Sequence, residues 1–128
     1  MTAFDLAKEW LRYAQSDLKT ATQMFYNVYP KEIEISCYHT HQCAEKSLKA
    51  YLILNNINPP RTHDLVELCN ICTTHDSNFS VMLPYCVFLN PYGVHVRYPN
   101  ELAVDDAITE NAIENVKRLL KFCEDLIN

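Results

Sequence analysis

The sequence predicts an all-α protein, an up-and-down four-helix-type bundle with an additional short helix, formed as one domain over residues 1–128. Three observations carry that prediction. Apolar residues recur at steps of three and four over long stretches, the spacing that lines one side of an α-helix. The chain has a single glycine, Gly93, whereas a turn-rich β-sandwich needs many positions that tolerate positive φ. Hydrophobic residues make up 48% of the chain and charged residues 21%, a globular balance rather than that of a disordered segment.

In the first helix Ala7, Trp10, Ala14, Leu18, Ala21, Phe25 and Val28 form one apolar stripe that ends before Pro30, with Lys8, Arg12, Gln15 and Lys19 opposite. The second helix follows YPKE, and its buried stripe is Cys37, His41, Ala44, Leu48 and Tyr51 or Leu52. It stops in NNINPP, where the prolines disfavour continuation. Each helix runs about 25 residues, and the short link between them implies antiparallel neighbours.

A third helix begins within RTHDLVEL and buries Leu65, Leu68, Cys69 and Cys72. Thr62 or Asp64 can cap it, with Glu67 reaching back in the manner of a capping box. In FSVMLPYCVFLN a short helix tolerates Pro84 only if it starts at Val81 or later, because the first turn lacks amide partners in any case. The irregular piece NPYGVHVRYPNELAVDD separates it from a last helix. That helix opens near Asp105 and buries Ile108, Ala112, Val116, Leu119, Cys123 and Leu126.

One glycine excludes a Walker A loop and a GxGxxG turn, both of which need several for close approach of backbone to phosphate. No apolar run reaches the ~20 residues that span a bilayer. The opening MTAFDLAKEW lacks the basic and apolar regions of a signal peptide, so a cytoplasmic protein without membrane attachment is expected. A net charge of −5 argues against a non-specific coat on nucleic acid, while leaving room for a local basic site. The cysteines at 37, 43, 69, 72, 86 and 123 are expected to be reduced core thiols.

Cys69 and Cys72 with His75 resemble a fragment of a zinc site, but a structural site takes four ligands. No second CxxC exists, so core thiols are expected, and neither a metal nor a cofactor. Cys37, His39 and His41 are clustered in one dimension only, since at about 100° per residue His39 points away from the other two. His41 reads as a core or interface histidine bonded to a neighbour; a Cys–His nucleophilic pair has no supporting signature. Glu45 and Lys49 form an i,i+4 pair and, with Lys46, read as a solvated helix face.

The irregular piece is richer. Asn90, Tyr92, His95, Arg97 and Tyr98 concentrate a planar cation suited to phosphate, stacking rings and a group that titrates near neutrality. Arg61 and His63 lie at the start of the third helix, where an anion is favoured. Tyr and Arg are also enriched at protein interfaces, so a nucleotide site and a dimer interface are both compatible with the loop.

AKEWLRYAQSDLKTA, SCYHTHQCAEKSLKAYLI, PPRTHDLVEL and NPYGVHVRYP, in that order and spacing, resemble the HEPN domain (higher eukaryotes and prokaryotes nucleotide-binding). The most specific parts are Gln42 to Ala50, the RTHDL start of the third helix, and Arg97-Tyr98-Pro99. The resemblance implies a cytoplasmic, homodimeric helical bundle that binds nucleotide or RNA. It implies partnership with a minimal nucleotidyltransferase in a prokaryotic toxin–antitoxin-type pair. Many members are metal-independent ribonucleases in which an Arg precedes a His by four to six residues. Here Phe88, Leu89 and Asn90 occupy the Arg positions before His95. The catalytic expectation therefore falls on His95 with Arg97 in place of the missing cation, the alternative to pure binding by Tyr92, Arg97, Tyr98, Arg61, His63 and Lys49. A non-catalytic dimeric interaction module is the remaining alternative. The H-x-Y spacing through which some members are modified by their partner is absent, since Tyr98 lies three residues after His95.

Overall fold

The computed structural model describes residues 1–93 and 104–128. Five α-helices are present among them: α1 (Ala3–Tyr26), α2 (Ile33–Leu54), α3 (Leu65–His75), the short α4 (Leu83–Leu89) and α5 (Asp106–Ile127). Two 3₁₀ segments, Ser77–Met82 and Asn90–Gly93, flank α4. The described residues contain no strand, in agreement with the all-α prediction.

Side-chain caps set most helix starts. Thr2 accepts from the Asp5 amide at 3.1 Å while Asp5 accepts from the Thr2 amide at 3.0 Å, a reciprocal capping box that satisfies two orphan donors. These hydrogen bonds hold the Asp5 carboxyl below its ordinary range. Asp64 caps α3 through the amides of Val66 and Glu67; its own amide donates to Thr62 at 3.1 Å, so Thr62 fills the place expected of Glu67. Asp105 caps α5 through Ile108 at 2.8 Å. Pro84 lies within the first turn of α4, as its missing N–H requires.

α1 and α2 pack antiparallel. Ser36 donates to the Ala21 carbonyl, Lys46 reaches Asp17, and Lys49 lies over Trp10, so rising positions on α2 meet falling positions on α1. α5 runs antiparallel to α1, with Lys8 bonded to Asn128, Gln15 to Glu124 and Lys31 to Asp106. Asn56, at φ 59°, ends α2 in the left-handed conformation that Asn tolerates. The connection 55–64 then returns along α2, bringing His63 beside Glu45.

The consequence is that α2 is wrapped by α1, α3, α4 and α5. Its small residues Ser36, Thr40, Cys43, Ala44, Ser47 and Ala50 are fully buried, which lets the neighbouring helices approach closely. All the cysteines are buried and none forms a disulfide; burial pushes the Cys72 thiol up to about 12 and raises Cys43 and Cys123 as well. At the end of α5 the expectation needs a correction: Leu126 is exposed and Ile127 takes the core position, because the helix keeps its 3.6-residue period from Cys123 onward.

Candidate functional site

The polar face expected of α2 is not solvated. Glu45 is only 5% exposed and Lys49 only 8%, because the 55–64 connection and Trp10 of α1 cover this side of α2. Two buried charges of opposite sign on one helix need each other. Lys49 Nζ donates to Glu45 Oε2 at 3.0 Å, and the Lys49 ammonium also lies 6.0 Å from the centre of the Trp10 ring.

The other Glu45 oxygen faces outward, to His63. His63 Nδ1 lies 2.9 Å from Glu45 Oε1, yet the His63 side chain is 77% exposed. The backbone of His63 is held as well, since its carbonyl accepts from His41 Nε2 at 2.9 Å. His41 itself is fully buried, with Gln42 at 3.1 Å from its other ring nitrogen. Desolvation pushes the His41 pKa below its ordinary value, which favours the neutral ring.

The chain's one glycine belongs to this cluster. A Cβ placed on Gly93 would lie 2.6 Å from His41 Nε2 and 2.8 Å from its Cε1. Backbone can pass this imidazole only without a side chain, so close approach, not turn conformation, accounts for Gly93. Asn90 stands three residues earlier. Its Oδ1 accepts from the Leu65 amide at 2.9 Å and its Nδ2 donates to Asp64 at 3.1 Å. The polar residue at one of the expected arginine positions is thus occupied in closing the start of α3.

Of the residues singled out in the sequence, the structure brings Lys49 and His63 together on Glu45. Arg61 is exposed two residues before His63, with no ion pair among the described residues. Tyr92 is 8% exposed and packs beside Phe88, with ring centres 6.2 Å apart, so it belongs to the core rather than to an open stacking face. His95, Arg97 and Tyr98 lie outside the described residues. Cys69 and Cys72 are core thiols, and His75 is exposed at the end of α3. No group of three metal-ligating side chains is assembled among the described residues. His41 was foreseen as a bonded core histidine. Glu45 was missed as a site residue, although its i,i+4 partner and the small-residue run around it were visible signals.

A second buried carboxylate lies between α1 and α2. Asp17 accepts from Lys46 at 2.7 Å and pairs with His39 Nδ1 at 2.9 Å. Beside it, Leu6, Trp10, Tyr13 and Lys46 line a cleft of about 520 Å³. No described helix is long and apolar enough to cross a membrane.

Comparison with known folds agrees with this architecture. The archaeal HEPN homologue ST0689 superposes with a TM-score of 0.73 at 23% identity, over 95% of this chain and 98% of that one. TT1696 from Thermus thermophilus gives 0.70 at 19% identity, over 93% and 96%. A HEPN domain protein from Thermotoga maritima gives 0.58 at 17%, over 97% and 95%. No functionally curated protein matches the chain. The family model of the HEPN domain matches residues 7–126, and the chain belongs to that family.

Proposed function

We propose that this HEPN protein is a nucleotide- or RNA-binding module, working as a homodimer and as the partner of a minimal nucleotidyltransferase in a prokaryotic toxin–antitoxin-type pair. The observation that carries the binding reading is the surface at the start of α3. There Arg61 is exposed without an internal ion pair among the described residues, beside an exposed His63 whose ring is anchored on the buried Glu45–Lys49 pair. An Arg that no carboxylate among the described residues neutralises is suited to a phosphate. His95, Arg97 and Tyr98 follow Gly93 in sequence and supply further proposed contacts, with Tyr98 as the stacking ring. Lys49 supports the site from beneath, since its ammonium is committed to Glu45. Leu6 and Tyr13, left exposed on α1, support a second copy as neighbour.

The test is fluorescence anisotropy with labelled single-stranded RNA and with nucleotides, at about 50 mM and about 200 mM salt. Affinity is expected to fall with salt, and to fall about tenfold in Arg61→Ala and in Arg97→Ala. Absence of saturable binding at either salt overturns the reading. Light scattering is expected to give about twice the chain mass of 14.9 kDa. Co-expression with a nucleotidyltransferase encoded beside the gene is expected to yield a stable complex; absence of such a gene removes the partnership.

A further inference from the structure

We infer that His63 is a phosphoryl-acceptor site, modified at Nε2 by an acyl phosphate that a partner protein carries, with Glu45 and Lys49 as positioning residues. The modification does not depend on the RNA-binding reading above. The histidines of the described residues differ in what holds them. His41 is fully buried with both ring nitrogens engaged. His39 is half-sunk between α1 and α2 on Asp17. His75 is exposed, with no carboxylate partner among the described residues. His63 is both exposed and fixed by a carboxylate, at 2.9 Å. Ordering an exposed imidazole costs side-chain entropy that an exposed ion pair barely offsets. Its carboxylate is nevertheless buried and fixed by Lys49 at 3.0 Å, and the His63 carbonyl is held by His41 at 2.9 Å. Packing does not explain such an arrangement, because the ring buries little surface. Presentation of one ring nitrogen does.

An ionised carboxylate only accepts hydrogen bonds, so Glu45 selects the tautomer with the proton on Nδ1 and the lone pair on Nε2. With Nδ1 turned inward to Glu45, Nε2 is the nitrogen open to a reagent. A neutral imidazole of this kind is a nucleophile, and the carboxylate offsets the positive charge that the ring gains on attack. In the step assigned here, Nε2 bonds to the phosphorus of an acyl phosphate as the P–O bond to the acyl group breaks. The electron pair of that bond leaves with the carboxylate, which needs no proton at neutral pH, and the ring keeps its own proton on Nδ1 against Glu45. The chain's single glycine gives no loop to cradle the phosphates of a nucleoside triphosphate, so the donor assigned is one already activated. Arg61, exposed two residues before His63 and without an ion pair among the described residues, supplies charge for the phosphoryl oxygens. The transferred group adds negative charge beside Arg61; on the RNA-binding reading, it opposes RNA at this surface.

The experiment treats the purified full chain with two small phosphoryl donors. Phosphoramidate, whose protonated nitrogen leaves as ammonia, tests the acceptor; acetyl phosphate tests the donor class. Mass spectrometry is expected to find His63 labelled at least about tenfold faster than His75, and NMR to place the phosphorus on Nε2. Arg61→Ala is expected to slow labelling about tenfold, and His63→Ala to abolish it at this site. The double variant Glu45→Gln, Lys49→Met removes the buried pair together, so that neither charge is orphaned. Its His63 is expected to react no faster than His75 and to give the Nδ1 isomer as well, which a merely structural role for the pair would not produce. Equal rates at His63 and His75, or the Nδ1 isomer in wild type, overturn the inference; labelling by phosphoramidate alone overturns the donor class. RNA affinity of the labelled chain is expected to fall. A chain that is labelled at His63 and binds no RNA leaves this inference standing and removes the binding reading; RNA binding without labelling does the reverse.

Discussion

Two buried carboxylates on facing helices make the same set of bonds and end in different arrangements. Asp17 holds Lys46 at 2.7 Å and His39 at 2.9 Å; Glu45 holds Lys49 at 3.0 Å and His63 at 2.9 Å. Around Asp17 both partner side chains, Lys46 and His39, are 27% exposed and both come from α2, so the cluster straps α2 to α1. Around Glu45 the lysine is nearly buried while the histidine is 77% exposed. One carboxylate shares its charge between two half-sunk partners; the other has its charge balanced inside and an imidazole held outside. Bond lengths alone do not separate a strap from a presented group; the distribution of burial does.

The sharpest way to break the comparison is to remove each carboxylate. Glu45→Ala leaves the Lys49 ammonium buried without a partner and is expected to cost about 3–5 kcal/mol. Asp17→Ala releases Lys46 and His39, both partly exposed and able to rehydrate, and is expected to cost about 1–2 kcal/mol. Urea midpoints measure both, and equal losses would erase the distinction. Gly93→Ala drives a Cβ into the His41 ring and is expected to cost about 1–3 kcal/mol. That loss should shrink when His41→Ala opens the space, as a double-mutant cycle would show.

Smaller effects sharpen it further. His39→Gln is expected to cost about 1 kcal/mol as a strap between helices, and His63→Gln less than about 0.5 kcal/mol because its bond is made at the surface. The reverse ranking would make His63 the structural residue. The smallest effect concerns pH. The folded-state pKa of His41 lies below its ordinary 6.5, so the unfolded chain binds the extra proton more readily. His41 therefore favours the fold fully above about pH 6.5, and that contribution falls as pH drops from there toward the depressed folded value. His41→Gln should flatten this part of the stability profile, measured by urea midpoints at several pH values.

Much of the fold was legible because its rules are local. The apolar stripe of α1, Pro84 in the first turn of α4, Asp64 as one of two candidate caps of α3 and the opening of α5 near Asp105 follow from period and amide satisfaction within a few residues. The candidate site was legible only in pieces. His63 and Arg61 stood out as residue types, and Lys49 as an i,i+4 partner, but α2 was read as a helix with one buried side. His63 meets Glu45 across 18 residues of chain, and no periodicity encodes that meeting.

The sequence by itself determined the helices, their caps, the position of the one glycine and the family signature, because each depends on neighbours in the chain. The tertiary structure decided which polar residues are inside. Packing α1, α3, α4 and α5 around α2 turned a charged face into a buried pair, and the return of 55–64 along α2 placed His63 over it. Burial is a property of what surrounds a residue, and for the Glu45–Lys49 pair those surroundings include Trp10 and His63, on parts of the chain that only folding brings together.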